Sequence, residues 1–157
     1  MLGRDYEDQI CSIARTLETV GERWTLLIIR DVLLGVTRFD DIRRSLGIAR
    51  NVLTDRLNKL VDAGILERAQ YQTQPARYEY QATQQGRELF PVLLALMHWG
   101  DRHRAGVDGP PRLARHDACG GDVTLQLACG TCGAVDPASV SVEPGPALTR
   151  RADSVSG

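Results

Sequence analysis

The stretch NVLTDRLNKLVDAGILERAQYQTQPARYEY, Asn51 to Tyr80, changes its period halfway. Val52, Leu53, Leu57, Leu60 and Val61 recur at helical spacing, which predicts a helix over 49–63 with one buried side. Gly64 then stands where a left-handed residue closes a helix. From Ile65 the pattern alternates as a strand does over ILERAQY. It breaks across Gln72–Ala76, with Pro75 kept out of the ladder, and alternates again over ARYEYQA. A helix thus runs directly into a small hairpin that carries arginines, and the flanking segments explain why.

Upstream, Asp5–Val20 predicts a first helix with Ile10, Ile13, Ala14, Leu17 and Val20 on one stripe, ended by Gly21. Arg23–Leu34 predicts a second, apolar nearly all round and therefore buried, stopped by Gly35. Phe39–Leu46 predicts a short third, with Phe39, Ile42 and Leu46 inward and Arg43 and Arg44 outward. Downstream, Thr83–His103 reads as the longest helix. Thr83 is its N-cap, Gly86 weakens its first turn and Pro91 kinks its middle. Leu89, Val92, Leu93, Leu96 and Trp99 supply its apolar face. The expected organisation is one domain over 5–105, a Gly-Pro linker over 106–115, a small module over 116–142 and a disordered tail over 143–157. Three helices, a fourth with one buried face and then a hairpin define the fold class: α+β, mainly α, a winged helix-turn-helix with a long C-terminal helix and a small knuckle-like tail.

Such a motif lays its fourth helix in the major groove of double-stranded DNA, while the hairpin wing follows the backbone or minor groove. Gross charge does not announce this, because the chain of 157 residues carries a net charge of −1. Between Arg38 and Tyr80, eight basic residues stand against six acidic ones, so the placement of the arginines must decide. The expected DNA-contacting residues are Arg38, Arg43, Arg50, Asn51, Thr54, Asn58, Arg68 and Arg77. Arg, Asn and Thr near the start of the fourth helix donate to base edges and phosphates, and the helix dipole adds positive potential there. Asp55 is awkward, since a carboxylate facing phosphates is repelled unless it is paired. No nucleophile–base pair or phosphate loop appears, so no catalysis is expected. The longest apolar run, WTLLIIRDVLL, is too short to span a bilayer, and residues 1–9 do not resemble a signal peptide. A cytoplasmic protein follows as the expectation, and its four cysteines are then thiols or metal ligands rather than structural disulfides.

CSIARTLETVGERWTLLIIRDVLLG, RFDDIRRSLGIARNVLTDRLNKLVDAGILER and PARYEYQATQQGRELFPVLLALMHWGDRH together resemble the HxlR-type transcriptional regulators, relatives of the MarR group. The likeness runs from about Cys11 to His103. Cys11, Gly21, Trp24, Arg38–Phe39, Leu53–Thr54, Gly64 and Arg77-x-Glu79-Tyr80 fall in the family's order. The resemblance implies a homodimer on a palindromic operator, with the first and last helices forming the dimer contact, and repression by occluding a promoter. It also implies that a cysteine at position 11 senses quinones, aldehydes or oxidants, which makes Cys11 a redox-sensing candidate and a small-molecule or oxidant effector an expected partner. Arg4 and Arg15 would favour its thiolate, whereas Asp5, Glu7 and Asp8 oppose it. The other reading of Cys11 is a packing residue at the seam. Ala49 departs from the family, which often has a serine cap there. An alanine forgoes about 1 kcal/mol of capping and leaves the first backbone donors free.

HDACG and CGTCG share one form: a ligand type, two residues, cysteine, glycine. They place His116, Cys119, Cys129 and Cys132 as two knuckles suited to a structural Zn2+, with each glycine allowing the tight turn. The alternative is a dithiol at Cys129 and Cys132 with His116 uninvolved. For the chain as a whole, the alternative to a DNA-binding regulator is a winged-helix and zinc-knuckle adaptor for protein partners, without a specific DNA target.

Overall fold

The computed structural model describes residue 6 and residues 11–148. Six helices and a two-stranded wing make up the first part of the chain: α1 (Ser12–Val20), α2 (Thr25–Leu33), α3 (Phe39–Leu46), α4 (Arg50–Asp62), β1 (Leu66–Thr73), β2 (Ala76–Ala82), α5 (Gln84–Arg87) and α6 (Phe90–Arg104). The extension beyond α6 adds a minimal hairpin, β3 (Ala128–Cys129) with β4 (Gly133–Ala134), and a 3-10 turn over Pro137–Ser139. The part of the expected first helix before Cys11 falls mostly outside the described residues, as do the neighbours Arg4, Asp5, Glu7 and Asp8, and residues 149–157 of the expected disordered tail. Among the described residues, no helix is long and apolar enough to cross a membrane.

The core forms where these helices converge. Ile28 and Ile29 of α2, Ile42 of α3, Leu53, Leu57 and Leu60 of α4, and Leu66 of β1 are almost wholly shielded from solvent. Burying an aliphatic side chain of this size stabilises by about 1.5–3 kcal/mol, so the three leucines of α4 fix its rotation about its own axis. α2 is not buried all round as its composition predicts. Leu27 and Leu34 are exposed along one edge, which turns toward α6 and residues 111–115.

Left-handed glycines close α3 and α4: Gly47 has φ +61° and Gly64 φ +70°. After Gly64 the chain reverses, with Ile65 N donating to Leu60 O at 2.9 Å, and enters β1. β1 and β2 pair antiparallel from Leu66 opposite Ala82 to Thr73 opposite Ala76, with a bulge between Gln70 and Gln72. The wing has a further partner that alternation over so few residues does not reveal. Arg38 bridges Glu79, and Tyr80 N donates to Thr37 O at 2.8 Å, which anchors the wing to the start of α3.

The expected single helix over 83–103 is broken. Thr83 does act as N-cap, accepting from Gly86 N at 3.2 Å, but α5 stops at Arg87 and α6 begins afresh at Phe90. Pro91 therefore does not kink a helix middle. It lies in the first turn of α6, where its missing N–H removes no intrahelical bond. Gly86 has a reason for its place, because a Cβ there would overlap the Ile65 carbonyl oxygen. Its absence lets α5 sit directly on the turn that joins α4 to β1. Gly86→Ala is expected to destabilise the protein by about 1–3 kcal/mol, read as a lower midpoint in denaturant. An unchanged midpoint would show that this close approach is not required.

Candidate nucleic-acid interface

Because Leu53, Leu57 and Leu60 point inward, Asn51, Thr54, Asp55 and Asn58 are left outside, spaced i, i+3, i+4 and i+7 on one stripe. These are amide, hydroxyl and carboxylate groups with no apolar neighbour on the same line. The Thr54 hydroxyl donates to Arg50 O at 2.9 Å, so its oxygen lone pairs remain available outward. Ala49 is the N-cap of α4 and offers no side-chain acceptor, as its chemistry requires. The first backbone N–H groups of this 13-residue helix thus keep their positive potential at the end that bears Arg50 and Asn51.

The awkward Asp55 is answered by pairing. Its Oδ2 lies 3.0 Å from Arg56 Nη1 and 3.2 Å from Lys59 Nζ. Arg56 also pairs with Glu22, and its side chain is only 17% exposed, so this cluster ties α4 to the α1–α2 turn. A second cluster lies at the α3–α4 corner. Arg50 Nη2 reaches Asp40 Oδ1 at 3.2 Å and its guanidinium lies over the Phe39 ring at 5.0 Å, while Arg43 Nε approaches the same Asp40 at 3.8 Å. Arg50 therefore leans back on α3 and is further from the outward stripe than its position at the helix start suggests.

The wing holds its cations differently. Arg68 lies over Tyr78 with its guanidinium carbon 4.2 Å from the ring centre, and Arg38 lies over Tyr71 at 4.6 Å. Stacking of this kind keeps an arginine extended and still able to donate along its edge. Tyr71 and Tyr78 were not among the expected site residues. The hairpin register could have found Tyr78, since Gln70 faces Tyr78 and the next position on that face is Arg68. Arg77 stands opposite Gln72 near the tip, fully outward. At the base of the wing, burial pushes the Tyr80 phenol up, and Arg68 partly opposes this.

Cys11 is the half-buried N-cap of α1, its carbonyl accepting from Arg15 N at 3.1 Å. In the extension the two sequence knuckles take matching backbone forms. Gly120 N donates to His116 O at 2.7 Å, and Gly120 and Gly133 both have positive φ, +69° and +84°. His116 Nδ1 lies 3.2 Å from Cys119 Sγ. Thr131 N donates to Cys129 Sγ at 3.4 Å. That bond, with those from the backbone and thiol of Cys132, lowers the Cys129 thiol to about 7. The four residues thus stand as two pairs. Among the described residues, no group of three or more His, Cys, Asp or Glu converges to hold a metal ion.

Residues 19–107 match the family model described as HxlR-like helix-turn-helix. An HTH-type transcriptional regulator of Mycobacterium tuberculosis is 45% identical over 136 residues, covering 86% of each chain. Among solved structures, PA1607, described as a transcription factor, is 32% identical with a TM-score of 0.78 and covers 87% of this chain and 96% of its own. That likeness reaches past the family match and into the extension. The redox regulator HypR in its oxidized form is 32% identical with a TM-score of 0.56, covering 61% of this chain and all of its own. A winged helix-turn-helix whose outward stripe is polar and whose wing tyrosines carry stacked arginines accords with these relatives: the chain is a non-enzymatic transcriptional regulator and belongs to the HxlR-like helix-turn-helix family.

Proposed function

We propose that the protein acts as a homodimeric repressor that reads a palindromic operator in double-stranded DNA. The observation that carries this reading is the outward stripe of α4, Asn51, Thr54 and Asn58, flanked by Arg68 of the wing and Arg38 at the head of α3, both already laid over tyrosine rings of the wing. Asn51 reads a base edge, Arg38, Arg68 and Arg77 engage the backbone beside the groove, and Arg43 and Arg50 reach phosphates from the α3–α4 corner. Replacing Arg77 with alanine is expected to weaken binding to all DNA alike and to lower the salt slope by about one. Asn51→Ala is expected to cost about 1–3 kcal/mol on the cognate site only. Anisotropy titrations of the upstream region at several salt concentrations measure both. Wild-type affinity and slope in both variants would refute the groove assignment.

The dimer reading rests on apolar surface left without cover. Ile13 is 70% exposed and Leu17 42% on α1, and Val92 is 45%, Leu96 51% and Trp99 54% exposed on α6. Two such stripes, brought against a partner's, make an interface of the apolar kind that obligate homodimers use. Two-fold symmetry then places half-sites about 34 Å apart, one turn of DNA. Trp99→Glu is expected to give a monomer by sedimentation at micromolar concentration and to lose cooperative operator binding. A variant that stays dimeric would move the seam elsewhere.

Cys11 sits at the head of α1, so covalent modification there would disturb the same seam, and the likeness to a redox regulator supports a sensing role. Cys11→Ser is expected to keep operator binding while losing its response to benzoquinone. An unchanged response would leave Cys11 as a packing residue.

The extension is read as a module clasped by Zn2+ through His116, Cys119, Cys129 and Cys132. What supports this is the repeated knuckle form, the two ligand pairs and the want of a core: from residue 105 to 148 no side chain is buried, and Leu125, Leu127, Val140 and Val142 are exposed. A segment of this length without apolar burial needs a cross-link. Metal binding would have to draw the two pairs together. Protein purified without chelator is expected to hold about one zinc per chain, lost in Cys129→Ser while operator binding falls only modestly. Metal-free protein with a reversible Cys129–Cys132 disulfide would establish the dithiol instead.

A further inference from the structure

The apolar residues of α6 divide into two lines. Val92, Leu96 and Trp99 follow one, already assigned to the dimer seam, although Leu96 also lines the groove described below. Phe90, Leu93, Leu94 and Met97 follow another, spaced i, i+3, i+4 and i+7, and face α2. The exposed edge of α2, with Leu27 and Leu34, lies opposite, and residues 111–115 line the same groove. Together they enclose a groove of about 930 Å3. That is within the range of about 300–1,000 Å3 in which small ligands are held. Its third wall comes from beyond residues 19–107, the part of the chain that matches the family.

The floor is leucine and phenylalanine, but the rim is cationic. Arg23, Arg30, Arg112 and Arg115 line it against one acid, Asp101. Two of these arginines are already matched, Arg30 to Asp31 at 2.6 Å and Arg115 to Asp122 at 3.0 Å, and Arg23 lies over Trp24 at 5.2 Å. Arg112 lines the groove, is exposed and makes no ion pair among the described residues. An apolar body entering the groove would draw the Arg112 guanidinium out of water. That is unfavourable unless the entering molecule brings an acceptor, and most favourable if the acceptor is charged. A neutral hydrocarbon leaves this guanidinium unmatched and a cation is repelled by the rim.

We propose that the groove between α2, α6 and residues 111–115 binds an amphipathic monoanion, an apolar body with one carboxylate or equivalent head group at Arg112, and that this molecule is the effector of the regulator. The effector role rests on the repressor reading above, whereas the binding itself does not. Occupation presses on α2 and α6, and these two helices carry the core that orients α4 and the helix that carries the seam.

The test uses the full-length protein, first without DNA. Titration with 1-anilinonaphthalene-8-sulfonate is expected to saturate at one probe per chain. Decanoate should displace it, whereas decan-1-ol and decyltrimethylammonium should displace it at least tenfold less well. Arg112→Glu, on an exposed loop, should weaken the probe at least tenfold with an unchanged unfolding midpoint, and Leu34→Gln should weaken it several-fold. Non-saturating binding, equal displacement by the cationic analogue or full affinity in Arg112→Glu would each overturn the site. Conversion of dimer to monomer by decanoate would also overturn it, by making the groove the seam. In the second arm, decanoate should shift operator affinity at least threefold in the wild type and not in Arg112→Glu. Binding without that shift overturns the effector role. Absence of any specific operator binding refutes the repressor reading, and the probe titration still decides the groove.

Discussion

The reversal at Gly64 and Ile65 is the joint on which the DNA-facing surface depends. Gly64 takes φ +70°, a conformation that a side chain resists, so α4 can end and β1 begin without a loop between them. The two carbonyls exposed by this turn are then used by the next segment. The Thr83 hydroxyl reaches Gly64 O at 2.6 Å, and Thr83 N donates to Ile65 O at 3.1 Å. The absent side chain of Gly86 admits Ile65 O against α5. Recognition helix, wing and the start of the C-terminal helices therefore share one set of backbone bonds.

Electrostatics around α4 is arranged to neutralise acids that the fold cannot avoid. Asp55 and Glu22 share Arg56 and Lys59, and Asp40 is shared by Arg43 and Arg50. The exposed pairs among these, those of Lys59, Arg43 and Arg50, contribute little to stability, whereas Arg56 is mostly buried. The effect of the two clusters is on the surface potential: Asp55 and Glu22 are balanced by Arg56 and Lys59, while Asp40 offsets only one of Arg43 and Arg50. One charge at the α3–α4 corner, the dipole of α4 and the arginines of the wing are left as the uncompensated positive features. That is how a chain of net charge −1 presents a face suited to a polyanion.

Much of this was legible in the sequence, and the reason is that the local signals agree. α3 spans the residues its period predicts, α4 differs by a residue at each end, and the glycines at 35, 47 and 64 mark stops with positive φ. What was not legible is long-range. The pairing of Thr37 and Arg38 with β2 joins residues some forty positions apart and leaves no periodic trace in so short a segment. The break between α5 and α6 falls between the polar turn Gln84–Arg87 and the apolar run from Phe90, and Pro91 suits the first turn of a new helix as well as a kink in a long one. The two lines of α6 overlap in sequence and separate only when the partner of each is known. Arg50 shows the same limit at the candidate interface. Its outward position follows from the helical wheel, but its tether to Asp40 and Phe39 follows only from how α3 and α4 meet.

The wing's cations, Arg68 and Arg77, are both arginines, as is Arg38 laid over the wing's Tyr71, and the chain's single lysine is Lys59, held between Glu22 and Asp55. A guanidinium stays protonated and does not take part in the acylation chemistry that discharges amines. Acetylation, which silences lysine-rich DNA-binding surfaces by removing their charge, has nothing to act on at this wing. The same modification at Lys59 would remove one of the two cations beside Asp55 and leave its carboxylate to Arg56 alone. In this chain, lysine acylation is thereby confined to one position, and its effect there would be a weaker neutralisation of Asp55 rather than the loss of a wing cation.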